Sequence, residues 1–141
     1  MTANAMEGDR ELCTPLPRAD HRDRAVRAAL EMLELVDLFN REQVVRGRVE
    51  IRIGIGIASG PVIAGLTGTA QRATYTCVGD IVNLAAHLEA HTKAVGQPIL
   101  IDDNTRNGLA EGIRVEAHAA AQFKTRSNAV PVYSVPSGQR P

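Results

Sequence analysis

The sequence predicts an α/β (α+β) fold in which a mixed or antiparallel sheet is covered by helices on one side. Three observations predict this fold. Apolar residues recur at helical spacing after His21, a strictly alternating stretch runs from 49 to 57, and a second helical stripe follows the turn at Gly79 and Asp80. Helices separated by strands that pair as hairpins are typical of a domain with one hydrophobic core.

The composition is that of one ordinary globular domain. The chain has 141 residues, 44% of them hydrophobic and 23% charged, which is close to the average for such domains. Its 16 basic and 16 acidic residues cancel, so no overall field attracts nucleic acid or an anionic membrane. The start of the chain has no apolar run typical of a signal peptide, and no stretch approaches the ~20 apolar residues of a membrane helix. We therefore expect a cytoplasmic protein that binds neither nucleic acid nor membrane.

The first helix and the alternating strand follow a leader without clear period. Residues 1–19 contain two prolines and are interpreted as an irregular leader or the remnant of a hairpin. From His21, the stripe formed by Val26, Ala29, Leu30, Leu33 and Val36 predicts a helix. The stretch "VEIRIGIGI" then places five β-branched residues on one face and two glycines on the other. Glycines in a strand indicate that something approaches the backbone closely there.

The remaining elements alternate between strands and helices. "VIAG" and "TYTCV" are predicted strands joined by a polar loop, "TGTAQRA", and a helix with Leu84 and Leu88 facing inward follows Asp80. "QPILI", "RVEAHA" and "AVPVYSV" are predicted to complete the strands. We expect the domain to span residues 20–136 and the tail, 137–141, to be disordered.

Several short motifs have a simpler interpretation than a catalytic or binding site. "GIGIASG" has the spacing GxGxxxG and leads into a strand, whereas a dinucleotide-binding loop opens a helix. "HLEAH" has two histidines at i and i+4, but its glutamate is not directly after the first histidine as in a zinc protease. Ser59 does not lie in a nucleophile elbow. Asn83 is an unfavourable residue inside a helix, and its amide could donate to and accept from a sugar or a base edge.

Three segments together resemble a known family. "RIGIGIASGPVIAGLTG", "YTCVGDIVNLAAHLEA" and "PVYSV" occur in the order found in the C-terminal two-thirds of a class III nucleotidyl (adenylate or guanylate) cyclase catalytic domain. The resemblance implies a ferredoxin-like fold whose N-terminal strand-helix unit is missing from this chain. It also implies head-to-tail dimers that convert ATP or GTP to a cyclic 3′,5′-monophosphate and pyrophosphate, with Mg or Mn ions bound by aspartates.

The resemblance assigns roles to individual positions. Asn83 matches the asparagine that orients the ribose, and Thr76 lies at the purine-selecting position. His87 stands where the family has an arginine that neutralises the transition-state phosphate. Lys124 matches a phosphate-contacting lysine, although its neighbours Phe123 and Thr125 differ from the family pattern.

Three departures from the family pattern reduce the expected activity. One metal-binding aspartate of the family has no counterpart here, and the other is matched only by Asp9 in "MEGDREL". Three residues before Gly8, the purine-recognising lysine of the family is replaced by Ala5. Histidine is shorter than arginine and is not permanently charged. We therefore expect a catalytically degenerate cyclase-like domain of cyclic nucleotide signalling, with residual binding of a purine nucleoside triphosphate or a partner. Two alternatives stay open: an active cyclase formed as a homodimer or with a second cyclase domain, and a non-enzymatic interaction module.

Overall fold

The computed structural model describes residues 2–3, 19–69, 72–123 and 127–138 of the chain. Two long helices, one short helix and seven strands are present in these ranges. In chain order they are β1 (Thr2–Ala3), α1 (His21–Val45), β2 (Ile55–Ile57), β3 (Ile63–Thr69), β4 (Arg72–Val78), α2 (Asp80–Val95), β5 (Ile99–Asp102), α3 (Asp103–Arg106), β6 (Glu116–Ala121) and β7 (Val130–Ser134). The predicted helix after His21 and the predicted helix after Gly79 are both confirmed.

The strands form two sheets with mixed pairing. The larger sheet has the order β2-β5-β7-β6, in which β2 and β5 are parallel and the other neighbours are antiparallel. The smaller sheet has the order β1-β3-β4; β3 and β4 form an antiparallel hairpin, and β1 pairs in parallel with β3. The predicted α+β fold with a mixed sheet is confirmed.

The core lies on both faces of the larger sheet. All four residues of β5 are buried. Ile99 and Ile101 pack in a cluster with α1 residues such as Val26, whereas Leu100 packs in a second cluster with Leu84 of α2 and its neighbours. Because successive side chains of a strand point to opposite faces, α1 and α2 cover opposite faces. The prediction that the helices lie on one side was therefore wrong in this respect.

Two predicted strand boundaries also differ from the structure. Of the alternating stretch 49–57, only Ile55–Ile57 forms a strand, and Val49 and Ile51 are exposed. The parallel ladder to β5 holds only three residue pairs, and alternation alone cannot make a strand where a ladder partner ends. In the other case the predicted loop "TGTAQRA" lies largely within strands, because β3 extends to Thr69 and β4 begins at Arg72.

Helix α1 is tied to the segment that leads into β2. The side-chain amide of Asn40 donates to the carbonyl oxygen of Ile51 at 2.8 Å, and its oxygen accepts from the Ile51 N–H at 2.9 Å. This pair of bonds replaces the ladder contacts that Ile51 lacks and fixes the approach to β2.

Within the described ranges, no helix combines the length and the apolar character that crossing a membrane requires.

Candidate functional site

The unit formed by β4, its turn and α2 carries three of the predicted site residues. Thr76 lies near the end of β4 and is half-buried, and Asn83 lies exposed in the first turn of α2. His87 follows one turn later and is half-buried. Residues four apart are neighbours on a helix surface, so the structure places Asn83 and His87 side by side, close in the chain to Thr76.

Two glycines seat α2 against the larger sheet. A Cβ built on Gly56 would collide with the main-chain oxygen of Ala85 and the main-chain nitrogen of Glu89. A Cβ on Gly54 would collide with the hydroxyl of Thr92. The close approach predicted from these glycines is therefore made by α2 itself, and it sets the height of the helix that carries Asn83 and His87 above the strand.

Two large apolar side chains are exposed beside Thr76. Thr76 pairs with Gly65 in the β3–β4 hairpin, and Ile63 pairs with Val78 two residues along on the same face. Ile63 is 69% exposed and Val78 is 62% exposed. Exposed apolar residues that cluster next to a polar site are typical of surfaces where another chain or a ligand packs.

Helix α2 carries no lysine or arginine side chain close to Asn83 and His87. Between Asp80 and His91 the sequence contains no lysine or arginine, and its charged residues are Asp80 and Glu89. The first basic residue of the helix, Lys93, lies in the last turn. An anion near Asn83 and His87 would therefore meet no permanent cation from this helix.

His87 stacks on Phe123, and the sequence analysis did not predict this contact. The ring centroids of His87 and Phe123 are 5.2 Å apart and the planes differ by 10°. His91 also contacts Phe123, at 5.7 Å between centroids and nearly perpendicular. Only two features of the sequence pointed to Phe123: it is one of two phenylalanines in the chain, and it directly precedes the predicted site residue Lys124.

The remaining predicted site residues lie outside the described ranges. These are Asp9, predicted to bind metal, and Lys124, predicted to contact phosphate; Ala5, in the place of a purine-recognising lysine, lies there as well. Within the described part, no group of three or more His, Cys, Asp or Glu side chains is arranged to hold a metal ion. The Mg or Mn site that the resemblance implies therefore stays a prediction.

A separate polar cleft of about 680 Å³ lies on another side of α2. Its lining includes Asp102, Asp103, Asn104 and Ser59, but none of Thr76, Asn83 and His87. Much of its polar lining is engaged within the fold: Asp102 accepts the Thr105 N–H at 2.9 Å, and Asn104 donates to the Ser59 carbonyl at 2.5 Å. These bonds give the cleft wall a structural role.

A hydrogen bond at the edge of this cleft perturbs a tyrosine. The hydroxyl of Tyr133 donates to Asp103 at 3.0 Å, and the guanidinium of Arg106 lies 5.1 Å from the centre of the Tyr133 ring. The hydrogen bond to Asp103 raises the pKa of Tyr133, with smaller contributions in the same direction from desolvation and the Asp103 charge, and an opposing one from Arg106. The protonated phenol is therefore the form that the fold stabilises.

Comparison with known proteins places these observations in a family. The family model described as the adenylate and guanylate cyclase catalytic domain matches residues 10–135. Adenylate cyclase 1 of Rhizobium meliloti is 31% identical over 121 residues, which cover 86% of this chain and 18% of that protein.

Solved structures agree with this match. The crystal structure of the guanylyl cyclase Cya2 superposes with a TM-score of 0.77 at 28% identity, over 89% of this chain and 64% of that one. The guanylate cyclase domain of RhGC from Catenaria anguillulae, solved in complex with GTP, superposes with a TM-score of 0.71 at 27% identity, over 88% of this chain and 64% of that one. This chain thus spans under two-thirds of these relatives' lengths. The chain belongs to the adenylate and guanylate cyclase catalytic domain family.

Proposed function

We propose that this chain is a catalytically degenerate cyclase domain that still binds a purine nucleoside triphosphate through the β4–α2 unit. Thr76 and Asn83 keep the residue types that the family resemblance assigns to purine selection and ribose orientation. The observation that carries the proposal is the stack of His87 on Phe123, at 5.2 Å between ring centroids. Where the family has a permanent cation, this chain has an imidazole already engaged with an aromatic ring.

The expected loss of rate follows from the charge that must be stabilised. Phosphoryl transfer depends almost entirely on positioning and on the neutralisation of developing charge, and an arginine in this role is worth a factor of about 10³–10⁵ in rate. No lysine or arginine between Asp80 and His91 can take over. An imidazole offers at most one hydrogen bond to the phosphate, so turnover suffers more than binding.

Nucleotide binding is tested with matched asparagine variants. Titration of the protein with a fluorescent GTP or ATP analogue should show binding that Asn83→Ala weakens about tenfold, the value of a well-made hydrogen bond to a ligand. Asn128→Ala removes another exposed asparagine, one that lines the polar cleft, and should leave the affinity unchanged. Equal affinity for wild type and Asn83→Ala, or a loss confined to Asn128→Ala, would contradict the proposed site.

Turnover is tested by incubation with ATP or GTP and manganese, followed by chromatography of the products. The proposal expects no more cyclic nucleotide from the protein than from a heat-killed sample. Product well above that control would contradict the proposal that the domain is catalytically degenerate and would favour an active cyclase.

An active form completed by a second chain is the first alternative, and exposed Ile63 and Val78 beside Thr76 support it. If these residues pack against a second cyclase domain, addition of an intact family member should produce cyclic nucleotide beyond that member's own activity, and Val78→Asp should abolish the gain. If an Ala5→Lys, His87→Arg double variant adds no cyclic nucleotide to that formed by the intact partner, the result counts against this alternative.

A non-enzymatic interaction module is the second alternative, and it is supported by the position of β2 at the end of the larger sheet among the described strands. An end strand presents main-chain groups that can pair with another chain. Size-exclusion chromatography with light scattering distinguishes the cases: a monomer at all concentrations speaks against self-association.

A further inference from the structure

Three aromatic rings meet where α2 packs against the end of β6. Phe123, two residues beyond β6, is 8% exposed and belongs to the same core cluster as Leu84 and Leu88 of α2. The ring of His87 lies nearly parallel to it, with planes 10° apart, and the ring of His91 lies nearly perpendicular, at 88°. Phe123 therefore packs both against the core and against two histidines that lie on one face of α2.

The stacked geometry restricts the side chain at position 87. An imidazole that stays parallel to Phe123 cannot rotate about its last torsion without giving up the contact. Aromatic pairs of this kind shift an equilibrium by about two- to tenfold beyond the effect of buried area. Since Phe123 is anchored in the core and His87 is half-buried at the surface, the phenylalanine holds the histidine rather than the reverse.

We infer that Phe123 is a positioning residue that determines where the side chain at position 87 points, and so how far that side chain is available to a nucleotide phosphate. The inference rests on the proposed function, because it concerns the site at Asn83 and His87. A guanidinium also stacks on aromatic faces, so an arginine introduced at position 87 would be retained by the same ring. His87→Arg alone would then restore less phosphate binding than His87→Arg combined with Phe123→Leu.

The position of the ring is tested first, without nucleotide. In ¹H–¹³C NMR spectra, the ring protons of His87 should be shifted upfield by the ring current of Phe123. Phe123→Leu should move these resonances to the positions of an exposed histidine, whereas Phe123→Tyr, which keeps the ring, should retain the upfield shift. His21 lies exposed at the start of α1 and serves as the internal control, because its resonances should not move in either variant. Unchanged His87 resonances in Phe123→Leu, in a protein whose circular dichroism matches wild type, would overturn the inference.

The consequence for ligand binding is tested by a double-mutant cycle. The affinity for a fluorescent triphosphate analogue is measured for wild type, Phe123→Leu, His87→Arg and the double variant. The inference expects the double variant to bind about two- to tenfold more tightly than the two single changes predict together, since only the double variant has a freed cation. Additive effects would contradict it. If none of the four proteins binds the analogue, the proposed function fails, and the NMR shifts decide the positioning role by themselves.

Discussion

Substitution of Gly56 should weaken the contact that holds α2 in place. A methyl group added at position 56 meets main-chain atoms of Ala85 and Glu89, and a helix backbone cannot rotate away as a side chain can. Overpacking of this kind costs about 1–3 kcal/mol, and we expect Gly56→Ala to lie near the upper value because both obstacles are backbone. For a domain of this size, about 3 kcal/mol corresponds to a fall in Tm of roughly 10 °C.

Gly60 provides the matched control for this experiment. A Cβ at Gly60 would meet the end of the Ile81 side chain at 3.0 Å, and a flexible side chain can give way at small cost. Thermal unfolding followed by circular dichroism should therefore show a large loss for Gly56→Ala and a loss of less than about 1 kcal/mol for Gly60→Ala. If the two variants were equally stable, the loss could be ascribed to replacing any glycine. That result would refute the conclusion that close packing of the α2 backbone against Gly56 positions the helix.

Two further predictions concern hydrogen bonds that link the elements. Asn40→Ala removes both bonds to Ile51 and should lower the free energy of unfolding by about 1–2 kcal/mol, measured by urea denaturation, while Asn40→Asp should recover part of the loss by keeping one acceptor. Tyr133 has a raised pKa because its hydroxyl donates to Asp103. Its contribution to stability should therefore be fully present below the pKa of an unfolded tyrosine, about 10, and should be lost as the pH rises through the higher folded value. Thermal unfolding at pH 8 and pH 11 should show a steeper decline for wild type than for Tyr133→Phe, and parallel declines would contradict the assignment.

The helices and most strands could be predicted from local patterns, whereas the packing of the layers could not. The apolar stripes of α1 and α2 identify each helix and its buried face, because a period of 3.6 residues is a property of the segment alone. Which face of the sheet a helix covers depends on contacts such as those of Ile99 and Leu100, which point in opposite directions from β5. The same reason explains the stretch from 49 to 57: its alternation is local, but a ladder needs a partner strand.

The candidate site shows the same division between local and distant information. The motif around Gly79 was sufficient to place Asn83 and His87 on one helix face and Thr76 at the end of the preceding strand. The glycines of β2 indicated a close approach, but only the structure shows that α2 makes it. The stack of Phe123 on His87 joins residues far apart in the sequence, and no periodicity predicts such a contact. The roles proposed for Asp9 and Lys124 stay predictions, because both residues lie outside the described ranges.

The most direct test of the central claim is the amount of cyclic nucleotide formed by wild type and by His87→Ala, measured side by side with GTP or ATP and manganese. The claim is that the side chain at position 87 no longer stabilises a transition state. It predicts that both proteins yield no more product than a heat-killed sample and do not differ from each other. Product above that control that falls by 10³-fold or more on removal of the imidazole, the loss typical of a transition-state arginine, would contradict it.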